Sequence, residues 1–137
     1  MPDTPMPERV TEMLRKPNPA VMATLGADGR PVSVATWYLI EDDGRVLLNL
    51  DAQRARLKHL RNDPRVALTV LAEGNWYTHV SVQGRVVSIT DDEDLSDIDR
   101  LSQLYGGNPY PNRERPRVSA LVEITRWHVW GDLSDED

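Results

Sequence analysis

Apolar residues recur at intervals of three and four positions in three short segments, and this spacing predicts α-helices. The predicted helices span residues 7–16, 52–61 and 91–105. Pro7 suits the first turn of the first helix. Asp51 is the predicted N-cap of the second helix, and Thr90 or Asp91 that of the third, because short polar side chains accept hydrogen bonds from the first free N–H groups of a helix.

The remaining segments are rich in β-branched and aromatic residues and are divided by turn signals. They predict six strands, at 20–25, 31–40, 45–50, 66–71, 76–89 and 117–130. The first three are joined by short turns and predict an antiparallel meander. Gly84 lies within the fifth strand, where we expect a bulge or a bend. The order α-βββ-α-ββ-α-β predicts a mainly β domain with peripheral helices, and it fits a barrel or a sandwich.

Length and composition narrow the class of protein. The 137 residues suit one domain, 1–137, with short tails at 1–6 and 132–137. The chain has no cysteine, which excludes thiol nucleophiles, thiolate metal sites and disulfides. It has neither a membrane-spanning run of about 18 apolar residues nor an apolar signal core, so we expect a cytoplasmic protein that binds no membrane. The net charge of −6 argues against nucleic-acid binding.

Basic residues are nevertheless concentrated in one stretch, namely Arg54, Arg56, Lys58, Arg61 and Arg65. The first N–H groups of a helix lack internal partners and guanidinium groups match phosphate oxygens, so the start of the second predicted helix is a candidate phosphate site. Arg54 and Arg56 can reach one phosphate together only if Arg54 lies in an irregular first turn. The pattern also fits a solvated basic helix face, and an Asp51 cap would compete with a phosphate for the helix donors.

Aromatic residues provide a second kind of candidate site. Two adjacent aromatic pairs lie at strand ends, Trp37-Tyr38 and Trp76-Tyr77. They could stack on a planar cofactor or pack within a barrel or an interface. Tyr105 and Tyr110 lie in or near a loop rich in glycine and proline, which could be a lid over a ligand or a simple connector.

No other chemistry is indicated by the sequence. The three histidines lack the HxH or HxxxH spacing of metal ligands, so we expect no metal site. No serine stands in a GxSxG motif, and no Walker or Rossmann glycine pattern occurs. The sequence therefore names no catalytic side chain.

The segment from Ile40 to Ala67 resembles a known family. A strand pair, a hairpin turn, the strand RVLLNL, an arginine-rich helix and the segment NDPRVAL follow each other in an order similar to that of the pyridoxamine-phosphate-oxidase-like split barrels. The similarity is greatest to their branch that uses the deazaflavin coenzyme F420. Further segments support it: ATLGADGRPVSVATWYL, RLKHLRNDPRVALTV, VQGRVV and LYGGNPYP. The resemblance covers about residues 10–131.

This resemblance implies a six-stranded antiparallel split β-barrel that forms a homodimer, with cofactor sites at the subunit interface. Arg56, eight positions before Pro64, would hold the cofactor phosphate where relatives usually have lysine. Arg54 would be a second cation and Lys58 a further candidate. The residues expected along the cofactor ring and ribityl chain are Ala35, Thr36, Trp37, Asn49 and Leu50. The aromatic residues expected from the partner subunit are Trp76 and, in addition, Tyr105 or Tyr110.

In such enzymes the cofactor performs the hydride transfer, so a missing catalytic triad is no objection. The acidic tail of F420 suits the basic stretch better than the single phosphate of FMN does. We therefore expect an F420-dependent reductase acting on a small unsaturated or heteroaromatic substrate. The alternatives are an FMN-binding oxidoreductase, either pyridoxamine-phosphate-oxidase-like or a flavin reductase, and a non-catalytic deazaflavin-binding protein.

Overall fold

The computed structural model describes residues 6–133, which contain seven antiparallel strands, three α-helices and a final 3-10 turn (Gly131–Leu133). The strands are β1 (Ala20–Leu25), β2 (Pro31–Thr36), β3 (Leu39–Ile40), β4 (Val46–Asp51), β5 (Arg65–Ala72), β6 (Asn75–Asp91) and β7 (Arg117–Trp130). The helices are α1 (Glu8–Leu14), α2 (Ala55–Asn62) and α3 (Ser96–Gly106). Most of both expected tails, 1–5 and 134–137, lies outside the described residues.

The strands form one sheet in the order β2-β1-β5-β6-β7-β4-β3. The expected strand 31–40 is interrupted at Trp37 and Tyr38, so the sheet has seven strands where six were expected. β2 pairs with β1 and β3 pairs with β4, so the two halves of this run lie at opposite ends of the strand order and the expected meander is broken. Only two residues join these halves. Because consecutive Cα atoms are about 3.8 Å apart, the two edges approach within about 11 Å, and the sheet is strongly curved.

The concave side of the sheet holds the main hydrophobic core. Side chains alternate along the strands, so that Val66, Leu68 and Val70 of β5 point inward and are buried. α1 adds Val10 and Leu14 to the same cluster. Each such side chain contributes about 1.5–3 kcal/mol when it is fully buried.

The break between β2 and β3 follows from the burial of Tyr38. Its side chain turns into the core, where it is 1% exposed, while the neighbouring Trp37 stays at the surface. The Tyr38 hydroxyl accepts a hydrogen bond from Asn18 Nδ2 at 3.0 Å and donates one to the Lys16 carbonyl at 3.2 Å. Burial raises the pKa of Tyr38 far above its usual range, so the hydroxyl keeps its proton.

Gly84 allows β6 and β7 to approach each other closely. A Cβ atom at this position would lie 2.3 Å from the Glu123 carbonyl oxygen. The register between the two strands shifts between Gln83 and Gly84, so an irregularity lies at the expected place, but the extra residue is Thr125 of β7 and not a residue of β6. The bulge lets the 17-residue strand β6 follow the curvature of the sheet.

Two helices begin later than expected because the preceding strands are longer. Asp51 and Asp91 both end strands, since they pair with Arg117 and Val118 of β7. The expected caps were therefore wrong: Arg54 is the N-cap residue of α2, and the expected capping residues of α3, Thr90 and Asp91, both lie in β6. None of the described helices is long and apolar enough to cross a membrane.

Candidate functional site

A cleft of about 760 Å³ opens between β2, α2 and α3. Seven of the eleven expected cofactor residues line it: Ala35, Thr36, Trp37, Asn49, Arg56, Tyr105 and Tyr110. Arg117 and Glu73 also reach it. A second cavity, of about 590 Å³, lies between α1, the β3–β4 turn and β7 and contains none of the expected residues.

Arg56 is a half-buried cation without an anionic partner. Within residues 6–133, its side chain makes a single contact of hydrogen-bond type, from Nη1 to the Met22 sulfur at 3.7 Å. Among residues 6–133 it forms no ion pair with a carboxylate. Burial, followed by the nearby guanidinium groups of Arg54 and Arg117, lowers the pKa of Arg56. A bound anion would offset both effects.

Arg54 meets the geometric condition for sharing an anion with Arg56. As the N-cap residue of α2 it has an extended backbone, with φ −71° and ψ 142°, and so lies outside the regular helix. Asp51 does not compete for the first N–H groups of α2, because its carboxylate forms an ion pair with Arg115 and accepts the Gln53 N–H. The start of α2 therefore remains open to an anion.

Arg117 is a site residue that sequence reasoning missed. Its Nε donates to Asn49 Oδ1 at 2.7 Å, and its guanidinium carbon lies 5.0 Å from the centroid of the Tyr110 ring. No local pattern marks this arginine, which begins β7 some distance from the basic stretch. It reaches the cleft only because β7 pairs with β4, which places it opposite Asp51.

A polar groove of about 510 Å³ adjoins the cleft. Tyr110 and Arg117 line both the cleft and the groove, whereas Arg54 and Arg115 line the groove but not the cleft. The Arg115 guanidinium lowers the pKa of Asp51 to about 2, so this carboxyl group is ionised at neutral pH and neutralises one of the three arginines. The groove keeps a surplus of positive charge next to Arg56.

Aromatic side chains form one wall of the cleft. Trp37 stacks on Tyr105, with centroids 5.2 Å apart, and Tyr110 meets Trp37 edge-on at 6.3 Å. The Tyr105 hydroxyl donates to the Asn18 carbonyl at 2.7 Å. Burial raises the pKa of Tyr105 to about 12, so it stays protonated and holds its ring in place. Tyr105 and Tyr110, which were expected from a partner subunit, line the cleft of their own chain.

The structure does not bring the other four expected residues into the cleft proper. Arg54 lines the adjoining groove, and Lys58 is exposed on α2 outside the cleft. The Leu50 side chain is 1% exposed and belongs to the core, so only its backbone could face a ligand. Trp76 is 70% exposed at the start of β6, away from the cleft lining.

The described residues contain no group of three or more histidine, aspartate or glutamate side chains that could hold a metal ion. What the cleft does combine is a flat aromatic wall, free cations and an apolar floor that includes Ile98 and Leu101. This combination suits a planar ligand with an anionic extension.

Known proteins resemble this chain in sequence and fold. The sequence profile of the family described as pyridoxamine 5'-phosphate oxidase matches residues 6–131. Among solved structures, an F420 reductase is 25% identical with a TM-score of 0.80, covering 90% of this chain and 98% of its own. A conserved hypothetical protein from Mycobacterium tuberculosis is 23% identical (TM-score 0.66; 95% and 88% covered).

A putative pyridoxamine 5'-phosphate oxidase from Listeria innocua is 13% identical, with a TM-score of 0.67 over 89% of this chain and 95% of its own. At identities below 25%, the Listeria innocua and Mycobacterium tuberculosis structures show only that their fold is shared with this chain. No curated protein matches the chain.

Proposed function

The chain belongs to the pyridoxamine 5'-phosphate oxidase family, and from this premise we propose that it is an oxidoreductase that transfers a hydride between coenzyme F420 and a small unsaturated or heteroaromatic substrate. The membership confirms the resemblance seen in the sequence. The half-buried guanidinium of Arg56 is the observation that carries the proposal. A partly desolvated charge without a partner is costly, and a cofactor phosphate would supply the missing anion.

The residues of the cleft fit such a cofactor. Arg56 and Arg54 would hold its phosphate at the open N-terminus of α2. Trp37 would face the ring system, and the backbone of Ala35 and Thr36 would run along it. When bound, F420 supplies the hydride chemistry, while the chain orients it and excludes water. Tyr105 supports the Trp37 indole from one side and thereby fixes the plane against which the ring would lie.

The groove beside the cleft supports F420 over FMN. FMN ends in one phosphate, which Arg56 and Arg54 could satisfy. F420 carries an acidic extension beyond its phosphate. Asp51 neutralises Arg115 in the adjoining groove, but Arg117 adds a cation there beyond the two that would hold the phosphate.

We also propose that the protein acts as a cytoplasmic homodimer. Trp76, Tyr77 and Trp130 are large hydrophobic side chains that remain exposed near one end of β6 and β7. His79 stacks on Trp130 across the two strands, with centroids 4.6 Å apart, so these side chains form an ordered patch. Exposed apolar patches of this kind often mark protein interfaces. A second copy would cover them and could bring its own Trp76 towards the cleft.

Separate titrations with F420 and FMN, followed by cofactor fluorescence, test the proposal. Preferential binding of F420, together with oxidation of F420H2 by an unsaturated or heteroaromatic acceptor, is the expected result. Preference for FMN would favour the FMN-binding alternative, and the acceptor screen would then use oxygen and flavin-linked acceptors. F420 binding without turnover would favour a non-catalytic deazaflavin-binding protein. Binding of neither cofactor by the folded protein would contradict the proposal.

A further inference from the structure

Asn49 links the cleft to the segment that precedes α3. Its side chain is 8% exposed, and its Oδ1 accepts the Arg117 Nε–H at 2.7 Å. Its Nδ2 donates one hydrogen bond to Asp92 Oδ2 and one to Ser119 Oγ, each at 3.1 Å. Both N–H donors and the carbonyl oxygen of the amide are therefore in use.

These partners allow only one orientation of the amide. A guanidinium can only donate, and an ionised carboxylate can only accept. Turning the Asn49 amide over would place a donor against Arg117 and an acceptor against Asp92, and both bonds would be lost. The surrounding chemistry thus determines which end of Asn49 faces the cleft.

The first turn of α3 anchors the carboxylate of Asp92. It is 5% exposed, and its carboxylate accepts the backbone N–H groups of Asp97 at 3.1 Å and Ile98 at 2.9 Å. The first turn of α3 therefore fixes the Asp92 carboxylate, which fixes Asn49, and Asn49 in turn holds Arg117. Asp92 itself does not line the cleft.

We propose that Asp92 is a positioning residue, which acts through Asn49 to hold the Arg117 guanidinium ready for the anionic part of the bound cofactor. The inference rests on the proposed function, because Arg117 matters here only as a cofactor ligand. A donor that is already oriented loses less side-chain freedom on binding, so preorganisation raises affinity. Without the Asp92 carboxylate, the Asn49 amide keeps only Ser119 Oγ as an acceptor for its N–H groups, so Asn49 and the Arg117 Nε–H bonded to it are held less firmly.

A double-mutant cycle tests this chain of contacts. The dissociation constant for F420, or for FMN if the titrations select it, is measured for the wild type, Asp92→Asn, Arg117→Ala and the double variant. We expect Asp92→Asn to weaken binding about tenfold in the wild-type background, a typical coupling for residues in one hydrogen-bond network. In the Arg117→Ala background the same substitution should change affinity by less than about twofold. Equal losses in both backgrounds would overturn the proposal.

Asp94→Asn is the matched control. Asp94 also caps the start of α3, through the Ser96 N–H at 3.1 Å, but it is exposed and has no recorded bond to Asn49. Asp94→Asn should lower the stability of α3 and leave cofactor affinity unchanged. If Asp92→Asn fails to fold, Ser119→Ala removes the other acceptor of the Asn49 amide and should weaken binding severalfold, again only when Arg117 is present.

A readout without cofactor separates this inference from the proposed function. The Arg117 Nε–H is bonded to a buried oxygen, so it should give a slowly exchanging ¹H–¹⁵N signal, assigned by its loss in Arg117→Ala. The signal should disappear or shift in Asp92→Asn, or in Ser119→Ala if that variant is used, and persist in Asp94→Asn. An unchanged signal in the substituted protein would overturn the positioning role. If neither cofactor binds, the proposed function fails, while this spectrum still decides whether Asp92 orients Arg117.

Discussion

The indole of Trp37 stacks on the ring of Tyr105, with centroids 5.2 Å apart and planes inclined by 14°. Trp37 follows β2 directly, and Tyr105 lies near the end of α3, so this contact fastens the third helix to the broken edge of the sheet. Tyr105 packs against one face of the Trp37 indole, whereas Trp37 as a whole remains 38% exposed. An aromatic ring that is exposed on one face and held in place by a neighbouring ring is suited to binding a flat ligand.

Replacing Trp37 should therefore weaken cofactor binding. We expect Trp37→Ala to cost about 0.5–1.5 kcal/mol of binding free energy beyond the loss of apolar contact area. Trp37→Phe, which keeps an aromatic ring, should retain most of the affinity. Both are measured by fluorescence titration. Equal affinities for Trp37→Ala and the wild type would show that the indole does not face the cofactor ring.

Arg56→Ala should weaken cofactor binding by about 1.5–3 kcal/mol, the range for hydrogen bonds to charged groups. The structural reason is that Arg56 pairs with no carboxylate of the described residues 6–133, so the substitution removes an interaction with the ligand and little else. Arg61→Ala is the control, because Arg61 is an exposed arginine on the same helix outside the cleft lining. Similar losses in the two variants would indicate a diffuse charge effect and would contradict a phosphate contact at Arg56.

The ion pair between Asp51 and Arg115 should make stability depend on pH in acid. The Asp51 carboxyl group has a pKa of about 2 in the folded protein, below its ordinary value of 3.8, because it accepts hydrogen bonds from Arg115. A lowered folded-state pKa means that the contribution is present above about pH 4 and is lost as the pH falls towards about pH 2. Urea denaturation across this range should show a smaller decline for Arg115→Ala than for the wild type. Identical pH profiles would mean that the pair does not contribute.

Gly84→Ala should destabilise the protein by about 1–3 kcal/mol, the usual cost of forcing an extra methyl group into a packed site. The new Cβ would meet the backbone of Glu123, which cannot rotate away as a side chain could. Gly106→Ala is the matched control, since nothing lies within 4 Å of the Cβ that it would add. Denaturation midpoints of the two variants provide the comparison. Equal stability of both variants would mean that the strands relax at the bulge without cost.

Local patterns predicted the helices and most strands, because apolar spacing and turn residues act over a few positions. They did not predict the break at Trp37 and Tyr38, since both residues favour strands. That break depends on the burial of Tyr38 against Asn18, a contact between distant residues. The two wrong caps have the same origin, because pairing with β7 extends β4 and β6 beyond the expected helix starts.

In the cleft, too, local patterns predicted some residues, while others depend on pairing between distant parts of the chain. Arg56 and Arg54 could be expected from their place in a basic stretch at the start of a predicted helix. Arg117 could not, because only the register between β4 and β7 places it beside Asn49. The orientation of Arg54 was likewise open in the sequence, and it was decided by the late start of α2.

The exposed patch of Trp76, Tyr77 and Trp130 leads to a prediction about assembly. We expect the wild type to sediment at twice the mass of one chain, and Trp76→Ala/Trp130→Ala to sediment as a monomer with its fold intact by circular dichroism. Aromatic side chains dominate the binding energy of many interfaces, so losing two should shift the equilibrium strongly. Trp37→Ala removes a tryptophan from the cleft and should leave the dimer unchanged. If the partner's Trp76 completes the cleft, the monomeric variant will also bind F420 more weakly than Trp76→Phe, which keeps a ring at that position. A monomeric wild type with full F420 affinity would contradict both the dimer and the sharing of its site.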